Sequence, residues 1–419
     1  MSGVAGLRGS GNWGTDERPK NFREMIQFMS PNGNTPIFGL TSKAGKKVVD
    51  DPEFNFWVET QALVRLQVNG ALTSAATTVV IDSADPSDTD MSKNYGTATH
   101  LKPGDILMVE PSSDNTTYAP EFVRVEAVDS DTSFRVTRGV GGSTAASISN
   151  DAYLMLVGSA YAEGTAAPRA VSRNPTKFSN YTQIFKDAYE ISGTADQTTA
   201  RTGSAWSNDK KRKMFDHARA IEMAMIFGQK SETSSSTDNG KPIRYMGGLL
   251  QLIPTIRKTV LTGAVAFDGT SGRDLLTAVY KVFDFESPAG DTRIAFVGNA
   301  ALNALNVKAA AVTNVRFNMD STIKVYGTDF REFIMPQGRL LIRSHPLLNI
   351  QGGIYANSMF ILDFDSIKYV AMKGRDTKSY DDVQNKDEDV RRGYVQTECS
   401  LMLDRGGLTC GYVGNIVSA

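Results

Sequence analysis

The N-terminal stretch from Gly6 to Lys43 constrains the fold most, because it cannot form a core of its own. It is rich in glycine and charge, and it shows no sustained hydrophobic periodicity. It also lacks the basic start and apolar run of a signal peptide. Apolar side chains are nevertheless spaced along it, at Trp13, Phe22, Met25, Ile26, Phe28, Ile37 and Phe38. We expect such a segment to bury these anchors on a neighbouring subunit.

The length and composition indicate a folded protein with more than one domain. A chain of 419 residues exceeds the size at which a single core keeps growing. The hydrophobic fraction of 41% is near the average for folded proteins. There is no apolar run long enough for a membrane-spanning helix. The net charge of −1 is unlike that of strong nucleic-acid binders.

Residues 70–160 predict a separate all-β domain, either a small barrel or a sandwich. Strand-length runs rich in Val, Ile and aromatic residues, separated by turn residues, cover 77–83, 105–110, 121–128, 133–140 and 152–158. This segment holds 12 acidic and 5 basic residues, whereas the rest of the chain holds 34 and 40. Because both flanks are extended in character, the domain is interpreted as an insertion at the tip of a long hairpin.

The strongest helix pattern covers residues 207–228, about 30 Å of helix. The run from Ser207 to Asp209 supplies N-cap chemistry, and Gly228 marks the end. One face carries Met214, Ala218, Ile221 and Met225.

The remaining sequence alternates helices and strands, so the fold class is α+β. A second helix is predicted over 273–285, with Thr270 or Ser271 as its cap, and a strand, turn and helix over 292–311. The C-terminal region predicts a hairpin that turns at Arg405, Gly406 and Gly407.

No catalytic residue, cofactor or metal site is predicted. The glycines of 9–14 and 139–142 lack the strand-to-helix context of a phosphate loop. The histidines His100, His217 and His345 are too scattered for a helical metal pair. Cys399 and Cys410 are expected to be free, buried thiols. A hydrolase using Cys399 or His345 remains an alternative for which the sequence names no substrate.

Four stretches together resemble a family of tailed-bacteriophage major capsid proteins, and they occur in the same order. They are GLRGSGNWGTDERPKNFREMI with PNGNTPIFGLTSK after it, NYTQIFKDAYEISGTA, IEMAMIFGQKSE and NGKPIRYMGGLLQLI. They are similar to the family's N-terminal arm, the strand before its long helix, the end of that helix and the glycine-marked turn that follows.

The resemblance implies a Hong Kong 97-like capsid fold with an inserted all-β domain. Its parts would be an N-terminal arm (1–50), an extended-loop hairpin (51–69 and 161–192), the inserted domain (70–160), a peripheral domain (193–285 and 355–419) with the spine helix 207–228, and an axial domain (286–354). The chain begins at the arm without heptads before it, so we expect a separate scaffolding protein or none, and no N-terminal cleavage.

The implied function is structural. Subunits would form hexamers and pentamers that close an icosahedral shell around double-stranded DNA, without sequence-specific binding and without a membrane. The implied partners are the chain itself, a portal protein and separate scaffolding, protease and decoration proteins. The place is the virion capsid, assembled in the cytoplasm of the host bacterium. The alternative is another β-rich virion component of the tail or the decoration, which leaves the long helix unexplained.

Two kinds of residue are predicted to contact neighbouring subunits. The first kind comprises the anchors and charges of the arm, Trp13, Arg18, Phe22, Arg23 and Phe28. The second comprises charged groups near the long helix, Lys210, Lys211, Arg212, Lys213, Arg391 and Arg392. Cations at a helix N-terminus oppose its macrodipole. Either screening by solvent or an acidic neighbour, such as a partner's hairpin, a partner's arm or packaged DNA, would offset this. The acidic cluster from Asp381 to Asp389 is interpreted as a solvated loop with local pairing or as inter-subunit pairing, since calcium-loop spacing is absent.

Overall fold

The computed structural model describes residues 36–59, 65–82, 97–110, 120–172, 175–199, 203–234, 240–267, 274–285, 287, 290–311, 317–325 and 328–418. The described helices are α1 (Pro36–Ala44), α2 (Gly193–Gln197), α3 (Ala205–Phe227), α4 (Leu249–Leu252), α5 (Leu275–Val279) and α6 (Asn299–Ala311). The described strands form five β-structures, so the architecture is mixed α and β.

The central element is a seven-stranded mixed sheet with helices on both faces. Its order is β13-β22-β18-β14-β17-β16-β15. The strands are β13 (Lys258–Val260), β14 (Thr292–Val297), β15 (Phe317–Val325), β16 (Thr328–Met335), β17 (Gly338–Ser344), β18 (Met359–Leu362) and β22 (Gly411–Gly414).

Strand β14 shows why helices must pack on both faces of this sheet. Ala295 and Val297 point into a cluster with α5 and α6. Ile294 and Phe296 point into a second cluster with α1, α3 and α4. Successive side chains of a strand face opposite sides, so a strand that is apolar throughout is buried on both faces. Since β14 pairs directly with β18, the segments predicted as axial and peripheral share this sheet.

A second sheet has five strands and supports α3. The order is β1-β19-β21-β10, with β20 also paired to β21. Its strands are β1 (Lys46–Val49), β10 (Gln183–Ser192), β19 (Ile367–Met372), β20 (Lys378–Tyr380) and β21 (Val390–Leu403). Ile221 and Met225 of α3 pack on Phe185 and Tyr369 of this sheet.

Six described strands between residues 65 and 159 form an antiparallel barrel with its own apolar core. The strands are β3 (Arg65–Gln67), β4 (Thr78–Val80), β5 (Asp105–Val109), β6 (Phe122–Val128), β7 (Ser133–Thr137) and β8 (Tyr153–Ser159). The sheet closes between β3 and β4, where Asn69 N–H donates to Val80 O at 2.9 Å and Asp82 N–H donates to Gln67 O at 3.0 Å. This closure pairs the two edge strands of the described sheet with each other.

Two short antiparallel ribbons complete the described structure. Strands β2 (Glu53–Val58) and β9 (Thr176–Tyr181) form the ribbon through which the chain enters and leaves the barrel. Strands β11 (Ser231–Ser234) and β12 (Pro242–Tyr245) follow α3 and form the other.

The long helix is confirmed, but its predicted cap and buried face were partly wrong. It runs from Ala205 to Phe227, and Ser204 is the N-cap, accepting from Ser207 N–H. Its buried residues are Trp206, His217, Ile221, Glu222, Met225 and Ile226. Met214 is 48% exposed, because the buried face instead carries His217, which is bonded to β10 and β21, and Glu222, which is bonded to α1 and His345.

The second predicted helix is present but shorter than 273–285. It consists of α5 and a 3-10 turn over Tyr280–Phe283, and its cap is Asp274, whereas the predicted caps Thr270 and Ser271 lie outside the described residues. One other local prediction was wrong. The C-terminal hairpin does not form, because β21 and β22 belong to different sheets. Arg405 and Gly406 adopt φ of +60° and +62° in the turn that carries the chain from one sheet to the other. The predicted strand, turn and helix over 292–311 are confirmed.

Candidate functional site

The β2–β9 ribbon presents the most exposed tryptophan among the described residues. Trp57 lies in β2 opposite Lys177, and 63% of its surface is exposed. Asn55 shares this face because it is two residues away on the same strand. A two-stranded ribbon is marginally stable alone, so an exposed indole on it is a candidate contact for another surface.

The opposite face of the ribbon is held by the body of the protein. Phe56 and Phe178 are cross-strand partners and stack with ring centroids 5.7 Å apart. They line a small cavity together with Leu252, Leu401 and Leu403. This packing fixes the base of the ribbon and leaves the Trp57 face uncovered by it.

The basic start of α3 has an acidic neighbour within the same chain. Lys210 Nζ lies 2.5 Å from Asp381 Oδ2, and the Tyr189 hydroxyl donates to Asp381 Oδ1. These two hydrogen bonds hold the pKa of Asp381 below its usual range, and the bond to Asp381 raises the pKa of Lys210. Arg212 is paired with Asp209 at 3.3 Å. Carboxylates of the same chain therefore offset part of the positive charge at the N-terminus of α3, for which the sequence alone showed no partner.

Arg391 and Arg392 also find partners in the chain. Arg391 Nε lies 2.8 Å from Asp382, and its guanidinium stacks on Trp206 at 4.5 Å. Arg392 Nε lies 2.8 Å from Glu190. All of these ion pairs are partly exposed, so each is worth little in stability. The acidic loop is thus paired locally, one of the two interpretations drawn from the sequence.

His217 lies in an arrangement that resembles a hydrolytic triad. Its Nδ1 is 2.7 Å from Asp187 Oδ2 and its Nε2 is 2.8 Å from Thr397 Oγ1. The Thr397 hydroxyl donates to Thr377 Oγ1 at 2.9 Å, and Thr397 is fully buried. A nucleophile must donate its proton to the histidine and must reach substrate. Thr397 does neither, so the contacts tie α3 to β10 and β21 instead.

The cysteines have the environment of inert thiols. Cys399 and Cys410 are both free and buried, as predicted. Burial raises the pKa of each to about 12, which suppresses the reactive thiolate. The part of the chain that the structure describes contains no cluster of three or more side chains suited to a metal ion. In the same part, no helix is both long and apolar enough to cross a membrane.

The predicted contacts of the arm lie outside the described residues. These are Trp13, Arg18, Phe22, Arg23 and Phe28. The described part of the predicted arm begins with α1, where Ile37 is buried against the body.

Sequence reasoning missed two important residues, Trp57 and Glu222. Trp57 follows Phe54 and Phe56 in an aromatic run, and strand alternation could have placed it opposite Phe56. Glu222 lies directly after Ile221 on the apolar face of α3, where a carboxylate is unexpected.

Comparison with known proteins identifies the class of this chain. The family model of the SU10 major capsid protein matches residues 8–410. The major capsid protein of Pseudomonas phage PaMx41 is 25% identical over 367 residues, which cover 86% of this chain and 80% of that protein.

Two solved capsid structures are similar to this chain. The capsid of the native GTA particle gives a TM-score of 0.45 at 10% identity, over 97% of this chain and 98% of that one. The capsid of cyanophage A-1(L) gives 0.40 at 10% identity, over 95% and 98%. The family match spans nearly the whole sequence, so this protein belongs to the SU10 major capsid protein family, the class that the sequence resemblance indicated.

Proposed function

We propose that this chain is the shell-forming subunit of a tailed phage. Copies of it would associate as hexamers and pentamers and close an icosahedral shell around double-stranded DNA, in the cytoplasm of the host bacterium. The observation that carries the proposal is the β2–β9 ribbon, with Trp57 exposed on one face and its base packed on the body. Such a ribbon is suited to lie on a neighbouring subunit, where the indole becomes buried.

The proposed roles of the parts follow the Hong Kong 97-like scheme. Residues 1–50 act as the arm, 51–69 and 161–192 as the extended loop, 193–285 and 355–419 as the peripheral domain and 286–354 as the axial domain. Residues 70–160 form the inserted domain, which is the barrel, and the barrel also includes β3 (Arg65–Gln67) from the segment proposed as the extended loop. Its separate apolar core and the ribbon that connects it support this division.

The barrel is proposed to project outward from the shell. Its segment carries the excess of acidic residues, and like-charged barrels at a distance repel little because salt screens them. Placement of the barrel on the inner face of the shell would contradict this. A portal protein, and separate scaffolding, protease and decoration proteins, are the other proposed partners.

The charged groups near α3 are proposed to act between subunits as well as within one. Lys211 and Arg212 are exposed on the first turns of the helix. Arg391 and Arg392 are about two-fifths exposed beyond their intrachain pairs. These cations could meet acidic groups of a neighbour or the enclosed DNA, together with Lys210 and Lys213.

Negative-stain electron microscopy of the full chain expressed alone in bacteria, with light scattering for mass, tests the proposal. Closed shells or six-fold capsomers are the expected result. A uniform small ring, trimer or monomer that never assembles, even when neighbouring phage genes are co-expressed, would overturn it.

A further inference from the structure

Glu222 is a carboxylate buried at the junction of three elements. It lies on α3 with none of its surface exposed. Its Oε1 accepts from Ile37 N–H at 2.9 Å, and its Oε2 accepts from Phe38 N–H at 2.6 Å. Both donors belong to the first turn of α1. The carboxylate of one helix thus satisfies two backbone groups that the start of another helix leaves free.

His345 supplies the third donor. Its Nε2 lies 2.7 Å from Glu222 Oε1, and the imidazole is fully buried. Its Nδ1 accepts from Leu347 N–H at 3.2 Å, which places the ring hydrogen on Nε2. Nε2 therefore donates to Glu222. Three donors converge on the carboxylate, so the site is built for an ionised group that only accepts.

The two helices that Glu222 joins, α1 and α3, differ in how many other contacts hold them in place. The spine helix α3 is long and packs on both sheets, whereas α1 has nine residues. A helix of that length is not stable by itself in water. Ile37 adds apolar contact to the same cluster that receives Ile226 of α3. The polar anchor and this contact together fix the direction in which the chain enters from residues 1–35.

We propose that Glu222 is the anchor that fixes α1, the first described element after residues 1–35, to the spine helix α3, with His345 as its positioning residue. A shift of α1 would then be transmitted to α3, and a shift of α3 to α1. The anchoring is independent of assembly. Its consequence for assembly rests on the proposed function, in which residues 1–50 contact a neighbouring subunit.

Hydrogen–deuterium exchange on the unassembled full chain tests the anchor directly. Glu222→Gln keeps the size of the side chain but replaces one acceptor with a donor that faces N–H groups. We expect exchange in peptides covering 36–44 to rise by roughly ten-fold or more, while peptides from barrel strands β6 and β7 stay unchanged. The matched control is Glu232→Gln, which removes a surface charge paired with Arg244. It should leave residues 36–44 as protected as in the wild type.

Glu222→Asp keeps the test decisive where Glu222→Gln fails to fold. It retains the charge on a shorter side chain, so we expect a smaller rise in exchange over the same peptides. Wild-type exchange over 36–44 in a folded variant at position 222 would overturn the proposal.

An assembly assay separates the anchoring by Glu222 from its proposed effect on shell formation. Faster exchange with unchanged shells would reject the coupling of the segment to assembly and leave the proposed function intact. Failure of the wild type to assemble, even with neighbouring phage genes co-expressed, would reject the proposed function, while the exchange result would still decide the anchor.

Discussion

At the residue scale, one buried ion pair holds the end of the barrel together. Arg138 and Glu121 are 6% and 4% exposed and lie 2.5 Å apart. Arg138 also donates to Thr73 O and Ala76 O, and Glu121 accepts from Ala146 N–H. The pair therefore joins chain segments that the strand ladder does not connect.

Glu121→Gln is expected to destabilise the barrel by about 3–5 kcal/mol, because it leaves a buried guanidinium without its counter-charge. Local unfolding measured by hydrogen exchange in peptides over 121–146 would show this loss. Asp129→Asn is the control, because its pair with Arg135 is exposed and worth about 0–1 kcal/mol. Equal effects of the two substitutions would contradict this account.

The same pair predicts how the barrel responds to acid. Burial raises the pKa of Glu121, but hydrogen bonds from Arg138, Ala146 and Gly139 outweigh it and hold the pKa below its usual range. A carboxyl whose pKa is lowered by folding stabilises the fold above its unfolded pKa and loses that contribution as pH falls through the folded value. Protection factors over 121–146, which correct for the pH dependence of the intrinsic exchange rate, should therefore fall on acidification in the wild type and change less in Glu121→Gln.

At the element scale, the spine helix depends on its N-cap. Ser204 accepts from Ser207 N–H at 3.4 Å, and the helix begins at Ala205. Ser204→Ala should cost about 1 kcal/mol of stability, because it frees a backbone donor of the first turn. Ser207→Ala is the control, since Ser207 lies inside the helix and alanine is well tolerated there. Thermal unfolding would measure the loss of stability in both variants. A larger loss in Ser207→Ala than in Ser204→Ala would favour the cap predicted from the sequence, which begins at Ser207.

The other end of the spine helix packs backbone against backbone. A Cβ at Gly248 would lie 2.6 Å from Gly228 N and 2.7 Å from Ala224 O. Gly248→Ala should therefore destabilise the junction of α3 and α4 by about 1–3 kcal/mol, since backbone atoms must move. Gly39→Ala is the matched control, because its Cβ would meet nothing within 4 Å. Unfolding in denaturant, followed for both variants, would test the difference, and equal midpoints would argue against the close packing.

At the scale of the whole molecule, the Trp57 face is expected to govern association. Trp57→Ala should raise the concentration needed for assembly, because each contact loses about 1.5–3 kcal/mol of apolar burial. The monomer should keep its fold, since the side chain is 63% exposed. Light scattering against concentration would measure this, with Asn55→Ser on the same ribbon face as control. Unchanged assembly of Trp57→Ala would remove the ribbon face from the interface.

Charge reversal at the start of α3 probes the other proposed contact. Lys211→Glu combined with Lys213→Glu should weaken particle assembly or the retention of DNA, because two cations become anions at a proposed contact. Both residues lie on the first turns of α3, where Lys211 is exposed and Lys213 half-buried, and both lie outside the Lys210–Asp381 ion pair. Particle yield and enclosed DNA, measured against Glu232→Gln, give the readout. Wild-type particle yield together with wild-type DNA content in the double variant would contradict a contact at this site.

Much of the element order could be predicted from the sequence. Apolar alternation marked the strands of the barrel, and the 3.6-residue period marked α3, because both patterns are local. The buried face of α3 was harder to predict, since His217 and Glu222 are buried through partners on β10, β21, α1 and the segment after β17. Those partners are far away in sequence, and no local pattern indicates them.

The sequence by itself determined the family, the all-β character of the segment around 70–160 and the spine helix. These depend on ordered motifs and on periodicity within single segments. Only the tertiary structure decided that β21 and β22 enter different sheets, that β3 and β4 close the barrel, and that Trp57 is exposed while Glu222 is buried. Strand pairing and burial are set by contacts between distant segments, and the free energy of those contacts exists only once the chain has packed.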